Sequence, residues 1–594
     1  MPINDLNKLS LMNTNSNRFC PRKPSCFSTK YRNADGSCNN LERPDWGKSF
    51  SAFGRLIRPQ YGDGVNTPRL AKSGRDLPTA RLVSYSTAPD LFSPSRRTTV
   101  MTMIFGQFID HDLTRTAPTR TRNGESFNCC SQDSQRFQAC LAIRVPENDP
   151  FYSRFETRCM NFVRSSPAPL DECRIGHREQ MNQLTHAIDG SAIYGSTKDE
   201  QDKLRTFTDG KLVVQIINGE ELLPPATNSP ACRIRQRGLS CFEAGDNRVD
   251  ENVGLAALQT LFLRHHNKIA AELKNINPGW NDEILYQETK RIIAAQIQHI
   301  TYNEFLPVIL GKTVMSQFGL IPLRNGFSNS YDPSTKLTVY SEFASAAYRI
   351  HTLIPSAFVL ENGQGGRIDT LQLSDTFSNP SALYRPNYMQ YFFYGMTRQR
   401  SGRVDNVFTR EITNLLFKEN NSSAGLDLVA LNIQRGRDHG IPDYNTVRSF
   451  CGLNRIQNFE ELANYINPYV AQELSRIYES VDDVDLFVGG FAENPLSDGM
   501  LGPTMSCIVA RQFATLKRAD RFWYENGRSE SAFTQDQLRE IRKTTLASLI
   551  CENVKVDMMQ LHVLLAPSIE NPLASCNNIL KPDLSFWRNE PVWS

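Results

Sequence analysis

One short stretch, Gly106-Gln107-Phe108-Ile109-Asp110-His111-Asp112, crowds an amide, two carboxylates and an imidazole onto the end of the apolar segment Met101 to Phe108. A segment this apolar is buried when the chain folds, and buried polar groups must be hydrogen-bonded or put to chemical use. In a helix Gln107 stands one turn before His111, and Asp110 three residues after Gln107, so the three line one wall. Asp112 is turned about 100° from His111, so one turn can serve two sites. A lone histidine on an apolar helix face is ordinarily a satisfied core residue. This one has company.

Three more clusters follow downstream. Gly245-Asp246-Asn247-Arg248-Val249-Asp250-Glu251-Asn252 precedes a long amphipathic segment and sets Arg248 one turn from Glu251. Ala347-Tyr348-Arg349-Ile350-His351-Thr352-Leu353-Ile354 holds a second histidine among apolar residues. Leu431-Asn432-Ile433-Gln434-Arg435-Gly436-Arg437-Asp438-His439-Gly440 packs an amide against charged groups. Taken alone, Arg248 reads as a salt-bridge partner of Asp246, Asp250 or Glu251.

In this order, and with Arg178-Glu179-Gln180-Met181-Asn182-Gln183-Leu184-Thr185, Asp189-Gly190-Ser191-Ala192-Ile193-Tyr194-Gly195-Ser196 and Asn267-Lys268-Ile269-Ala270, the clusters resemble the animal haem peroxidase superfamily from Cys26 to Trp587. The resemblance implies a mainly α fold, a helical bundle around haem with very little β. It implies an enzyme that uses hydrogen peroxide to oxidise small donors, halide, thiocyanate or phenols such as tyrosine, through an oxoferryl intermediate. A chain of 594 residues allows about four domains by length. Residues that must meet at one cofactor nevertheless run from Gln107 to Asn432, so residues 26–594 are expected to form one catalytic domain behind a polar, irregular tail over 1–25.

Heterolytic cleavage of an O–O bond needs a base for the first proton and a positive group for the departing hydroxide. His111 fits the base, Arg248 the fixed cation, and Gln107 can hold a water or an incoming anion. By resemblance His351 is the axial ligand of the haem iron and Asn432 orients it through its other ring nitrogen. Asp110 and Glu251 match the carboxylates esterified to haem b in mammalian members, and Arg349 or Arg435 is a candidate for a haem propionate. Asp112 with Thr185, Ala187, Asp189 and Ser191 resembles a calcium site. Two carboxylates, two hydroxyls and backbone carbonyls suit that ion. His265, His266 and His299 fall within helices and read as packed or partly exposed, and His439 as structural.

Two departures from the family pattern bear on chemistry. The Met that follows the Glu in myeloperoxidase, and forms a sulfonium link to haem, is Asn252 here, so substrates easier to oxidise than chloride are expected. The Arg usually found three residues before the proximal His is replaced by Tyr348, with Arg349 at minus two. Tyrosine in that slot is what fatty-acid dioxygenases of the superfamily use, which keeps an oxygenase reading open. Asp110, Glu251 and the calcium loop speak against it. An adhesive, peroxinectin-like protein is a third reading, although the chain has no Arg-Gly-Asp or Lys-Gly-Asp tripeptide and every catalytic position is filled.

A net charge of +3 without a long basic block does not indicate a nucleic-acid partner. No apolar run approaches the roughly 18 residues of a membrane span. Fourteen cysteines, with no two Cys-x-x-Cys pairs at zinc spacing, fit an oxidising compartment. Resemblance suggests the bridges Cys26–Cys38, Cys232–Cys241, Cys451–Cys507 and Cys551–Cys576, leaving Cys129, Cys130, Cys140, Cys159 and Cys173 unassigned and Cys20 without an obvious partner. Asn420 and Asn421 both begin glycosylation sequons. Met1-Pro2-Ile3-Asn4-Asp5 opens no apolar signal core, so secretion, with a matrix or cell-surface partner, is expected from the cysteines and the family. Apolar periodicity predicts helices over Gly254 to Lys274 and from Asp282 to the Phe305 region. The best strand candidate is Lys211 to Ile216, and 113–175 read as loop.

Overall fold

A helix that is apolar all round can only be stable when surrounded, and α1 (Val100–Leu113) is. In the computed structural model, which describes residues 25–169, 176–419, 422–588 and 590, Gly106 and Gln107 are its only residues not fully buried. Against it lies α2 (Val253–Ile276), whose first turn is capped by the Asn252 side chain accepting from the Leu255 N–H. Gly254 permits this close approach. A Cβ there would stand 2.8 Å from Ile104 Cδ1 and 2.9 Å from Phe358 Cε1. Phe108 and Phe262 then stack with centroids 4.5 Å apart and planes 7° apart, a contact worth about 0.5–1.5 kcal/mol beyond the area it buries.

After the expected break at Asn277-Pro278-Gly279, α3 (Asp282–Ile300) starts at an Asn281 cap with Asp282 and Glu283 in its first turn, where acidic groups complement the helix dipole. It runs directly into a π-helical turn, Thr301–Phe305, and Phe305 meets Phe105 of α1 at 5.6 Å. A second π-helical turn, Phe343–Ala347, precedes a single 3-10 turn, His351–Leu353. Such turns recur at functional sites because one extra residue re-aims the side chains that follow. α4 (Leu428–Asp438), capped by Asp427 accepting from Ala430 N–H, carries Asn432. α5 (Pro503–Ala519) begins with proline in its first turn, where no N–H is missed.

The mainly helical expectation agrees with this architecture. Among the described residues every sheet is a two-stranded antiparallel pair. The strand expected over Lys211 to Ile216 forms further on, as Gln215–Ile217 paired with Glu220–Leu222. Asn218 and Gly219, at φ 52° and 74°, supply the positive-φ pair that a tight hairpin demands, and this fixes the register two residues from each strand.

The four suggested disulfides are present, and Cys129–Cys140 and Cys130–Cys159 staple the loop-rich segment after α1. Cys20, Cys173, both sequons and nearly all of the expected 1–25 tail lie outside the described residues. One contiguous hydrophobic core runs from Phe53 to Trp587. Among the described residues no helix is long and apolar enough to cross a membrane.

Candidate functional site

Gln107, Asp110 and His111 emerge from α1 along one wall of a cleft enclosing about 940 Å³, partly open to solvent. His111 is buried. Its Nε2 lies 3.1 Å from Glu251 Oε2, whereas its Nδ1 is 3.8 Å from Asp246 and has no hydrogen-bond partner. Gln107 Nε2 donates to the same Glu251 oxygen at 2.9 Å. Burial opposes ionisation of Glu251, but His111, Arg248 and Gln107 together hold its carboxyl down at about 2. Asn252, whose significance in the sequence was only that it is not Met, makes two bonds at once. Its amide donates to Gln107 Oε1 at 2.8 Å while its oxygen caps α2. Because Oε1 is thereby engaged as acceptor, the Gln107 amide has to present its N–H₂ end to Glu251.

Arg248 also lines the cleft, and it is a salt-bridge partner as well. It grips Asp246 through Nε at 2.8 Å and Nη2 at 2.9 Å, and donates to the Thr114 carbonyl at 2.8 Å. Asp246 is fully buried. Burial pushes its carboxyl up, but Arg248 first, then His111 and Arg115, hold it well below the usual range. A bidentate pair on a fully buried carboxylate fixes the guanidinium as no wholly exposed pair could.

His351 lines the same cleft. Its Nδ1 is 2.9 Å from the Asn432 amide of α4, so Nε2 is the nitrogen left to the cleft. With the amide turned end for end, Oδ1 accepts from Nδ1–H, the tautomer that leaves the Nε2 lone pair free for a metal. Burial and then the charge of Arg349 push this imidazole down to about 4, so it is neutral. The apolar part of the lining includes Phe305, Leu353, Ile354, Leu373 and Phe377. A largely apolar slot lined by a neutral imidazole nitrogen and an acid–base pair fits haem.

Arg435 is not brought there. Its Nη1 donates to Val163 O, Ser165 Oγ and Asp438, and its guanidinium lies over Phe162. The cation that does line the cleft beside His351 is Arg349, with Nη1 3.2 Å from Asp110 Oδ2. Sequence reasoning ranked it beside Arg435, because the π-helical turn that compensates for its displaced position has no apolar-period signature. Asp110 also accepts from Thr114 Oγ1 at 2.8 Å. Tyr348 lines the same wall, its hydroxyl buried and without a partner.

Asp112 points away, as its turn in the helix requires. One carboxylate oxygen accepts from Ser191 Oγ and Ala192 N–H, the other from Asp189 and Gly190 N–H. Asp189 accepts from Thr185 Oγ1 at 3.0 Å. Ala187 is buried in the same loop and makes none of these contacts. Burial, and then the charge of Asp189, raise the Asp112 carboxyl to about 7. Two neighbouring carboxylates, both raised chiefly by burial, with hydroxyls beside them, are a donor set a hard dication would relieve. Lys290, buried close by and pushed down to about 8 chiefly by burial, was not anticipated. The remaining helix histidines are buried and bonded, His265 to Gln296, His266 to Tyr194 and Gly210, and His299 to Tyr524. His439 is held by Ser165, Ser341 and Ser345.

Residues 31–564 match the family model for animal haem peroxidase. The chain belongs to that family. A chorion peroxidase of Aedes aegypti is 39% identical over 96% of this chain and 73% of its own length. A peroxidase of Drosophila melanogaster is 36% identical over 97% of this chain and 85% of its own. Human peroxidasin homolog shares 38% over 95% of this chain, which spans 39% of it. Among solved structures, peroxidase A of Dictyostelium discoideum superposes with TM-score 0.75 at 27% identity, over 91% of this chain and all of that one. A fatty acid alpha-dioxygenase of Oryza sativa, at 20% identity and TM-score 0.71, shares the fold. This animal haem peroxidase is thus an oxidoreductase that reduces hydrogen peroxide at the expense of a reductant.

Proposed function

We propose that the cleft between His111 and His351 is where this peroxidase binds haem b and reduces peroxide. The observation that carries this reading is the juxtaposition across one apolar slot of His111, Gln107 and Arg248 with His351, whose Nδ1 is tied to Asn432. Haem, when bound, supplies the iron at which the O–O bond is split and the oxidising equivalents are stored. His351 Nε2 would hold that iron. His111 Nε2 takes a proton from incoming peroxide and returns it to the leaving oxygen, while Arg248, immobilised on Asp246, stabilises the departing hydroxide. Gln107 orients the peroxide or a small anion. Asp110 and Glu251 would form ester links to the cofactor, and of the two candidate arginines Arg349, which lines the cleft, would take the propionate role. Asp112, Thr185, Asp189 and Ser191, with the Ala187 carbonyl, would hold calcium, and the Asp112–His111 adjacency would let that ion steady the distal base.

The donors we infer are iodide, thiocyanate or phenols such as tyrosine, because Asn252 cannot form the sulfonium link associated with chloride oxidation. Two relatives carry the chorion in their names. With six disulfides among the described residues, this supports secretion, glycosylation at the sequons, and action on an extracellular coat. Steady-state assays with hydrogen peroxide test the reading. Iodide, thiocyanate or tyrosine should be oxidised and chloride scarcely. Oxygen uptake with a polyunsaturated fatty acid, abolished by Tyr348→Phe, would favour the dioxygenase reading instead.

A further inference from the structure

Behind the cleft wall a line of aromatic rings leads away from the proposed site. Tyr348, which lines the cleft, has its ring centroid 6.0 Å from Phe513 of α5. Phe513 lies 5.8 Å from Tyr302, Tyr302 lies 4.6 Å from Trp523, and Trp523 lies 4.8 Å from Tyr524. Tyr302, Trp523 and Tyr524 are all buried. Trp and Tyr are the side chains most easily oxidised by one electron after Cys, and rings in contact pass electrons readily.

A tyrosyl radical persists only where a base removes the phenolic proton, because an oxidised phenol is a far stronger acid than an imidazolium. The three tyrosines on the line differ in this respect. The hydroxyl of Tyr348 has no partner, and that of Tyr302 donates to a neutral carbonyl, Phe513 O, at 2.6 Å. The hydroxyl of Tyr524 lies 3.0 Å from His299 Nδ1. His299 is buried, and burial with the charge of Arg542 pushes its imidazole down to about 4, so it stands neutral; in the tautomer with its proton on Nε2, the Nδ1 lone pair faces the Tyr524 hydroxyl. Trp523 Nε1 donates to Glu525, whose carboxylate is paired with Arg542, placing negative charge beside the indole. Among the described residues there is one like pair, Tyr194 and His266 at 2.8 Å, but the ring next to Tyr194 beyond that histidine is Tyr286, which does not line the cleft.

We propose that Tyr524, with His299 as its proton acceptor, stores an oxidising equivalent drawn from the cleft through Trp523 and Tyr302 when no reductant is at hand. Tyr524 loses one electron, which passes along the rings to the peroxide-oxidised cofactor, and its phenolic proton moves to His299 Nδ1. A neutral tyrosyl radical and an imidazolium remain. A later reductant returns the electron, and the proton goes back. The proposal rests on the cleft being the site of peroxide reduction.

The test is freeze-quench electron paramagnetic resonance of the haem-loaded full chain mixed with hydrogen peroxide and no donor. A tyrosyl signal is expected that narrows with ring-deuterated tyrosine, is lost in Tyr524→Phe and Trp523→Leu, decays faster in His299→Gln and survives in Tyr194→Phe. Tyr524→Phe should oxidise donors at the wild-type rate yet lose its haem absorbance sooner under excess peroxide. A signal that survives Tyr524→Phe, or none although the haem spectrum changes on peroxide addition, overturns the proposal alone. A haem spectrum that peroxide leaves unchanged overturns the cleft assignment and the proposal with it.

Discussion

Asn252 joins two tasks that a pair of substitutions can separate. As the cap of α2 it accepts from Leu255, and as a donor it fixes the Gln107 amide against Glu251. Asn252→Ser keeps a capping oxygen and loses the reach to Gln107, whereas Asn252→Ala loses both. We expect the alanine variant to be less stable by about 1 kcal/mol in urea unfolding and the serine variant to lie close to wild type. Both should weaken cyanide binding to the haem-loaded protein, read from the Soret band. Unchanged cyanide affinity in Asn252→Ser would remove Asn252 from the positioning of Gln107. That His111, Arg248 and His351 meet at one cleft was legible in the sequence, as was the turning of Asp112 away from His111. Asn252 and Asp246 act through neighbours that only the fold supplies, and Arg435 is engaged by its neighbour Asp438 rather than lining the cleft.

Two π-helical turns flank the cleft, and one carries a buried acid. Glu304 accepts from Leu546 N–H with one oxygen, and its other oxygen is buried without a partner. Burial raises its carboxyl to about 8 from an ordinary 4.5. Below the lower value folded and unfolded states both hold the proton. Between the two the folded state keeps a proton that the unfolded state releases, so stability falls as pH rises, and above the upper value the loss is complete. Glu304→Gln retains the bond to Leu546 and removes this dependence. Thermal unfolding from about pH 5 to about pH 9 should therefore show the variant gaining on wild type as pH rises, and parallel curves would contradict it. Helices with sustained apolar period, α2 and α3, were legible to within a few residues. The π-helical turns were not, since one extra residue leaves no mark in composition, while the Asn218-Gly219 hairpin carried a signal that the apolar run before it outweighed.

Over the whole molecule, cross-links and the Asp112 loop hold together elements far apart in sequence. Cys451–Cys507 spans 56 residues and Cys232–Cys241 only 9. Loop-closure entropy gives about 4 kcal/mol for the first and about 3 kcal/mol for the second. Removing the longer bridge by paired serine substitutions should cost more in denaturant unfolding, and the reverse order would mean that strain or residual structure dominates. Asp189→Asn should lower calcium content by metal analysis and with it haem retention, because a formal charge leaves the cage while its shape is kept. Calcium content equal to wild type would dismiss the loop as its site. The family was legible because four polar clusters occur in a fixed order. How they meet was not, because contacts such as Asn432 to His351 and Arg248 to Thr114 close over long stretches of chain.

The central claim is that His111 handles the proton of peroxide opposite a His351-bound haem. Stopped-flow absorbance of the haem-loaded protein mixed with hydrogen peroxide addresses it directly, with His111→Leu beside wild type and His351→Ala as the control for cofactor binding. His351→Ala should fail to hold haem stably. His111→Leu should hold haem and react about 10² to 10⁴ times more slowly, the span expected for loss of acid–base assistance. A His111→Leu protein that reacts with peroxide at the wild-type rate would contradict the claim.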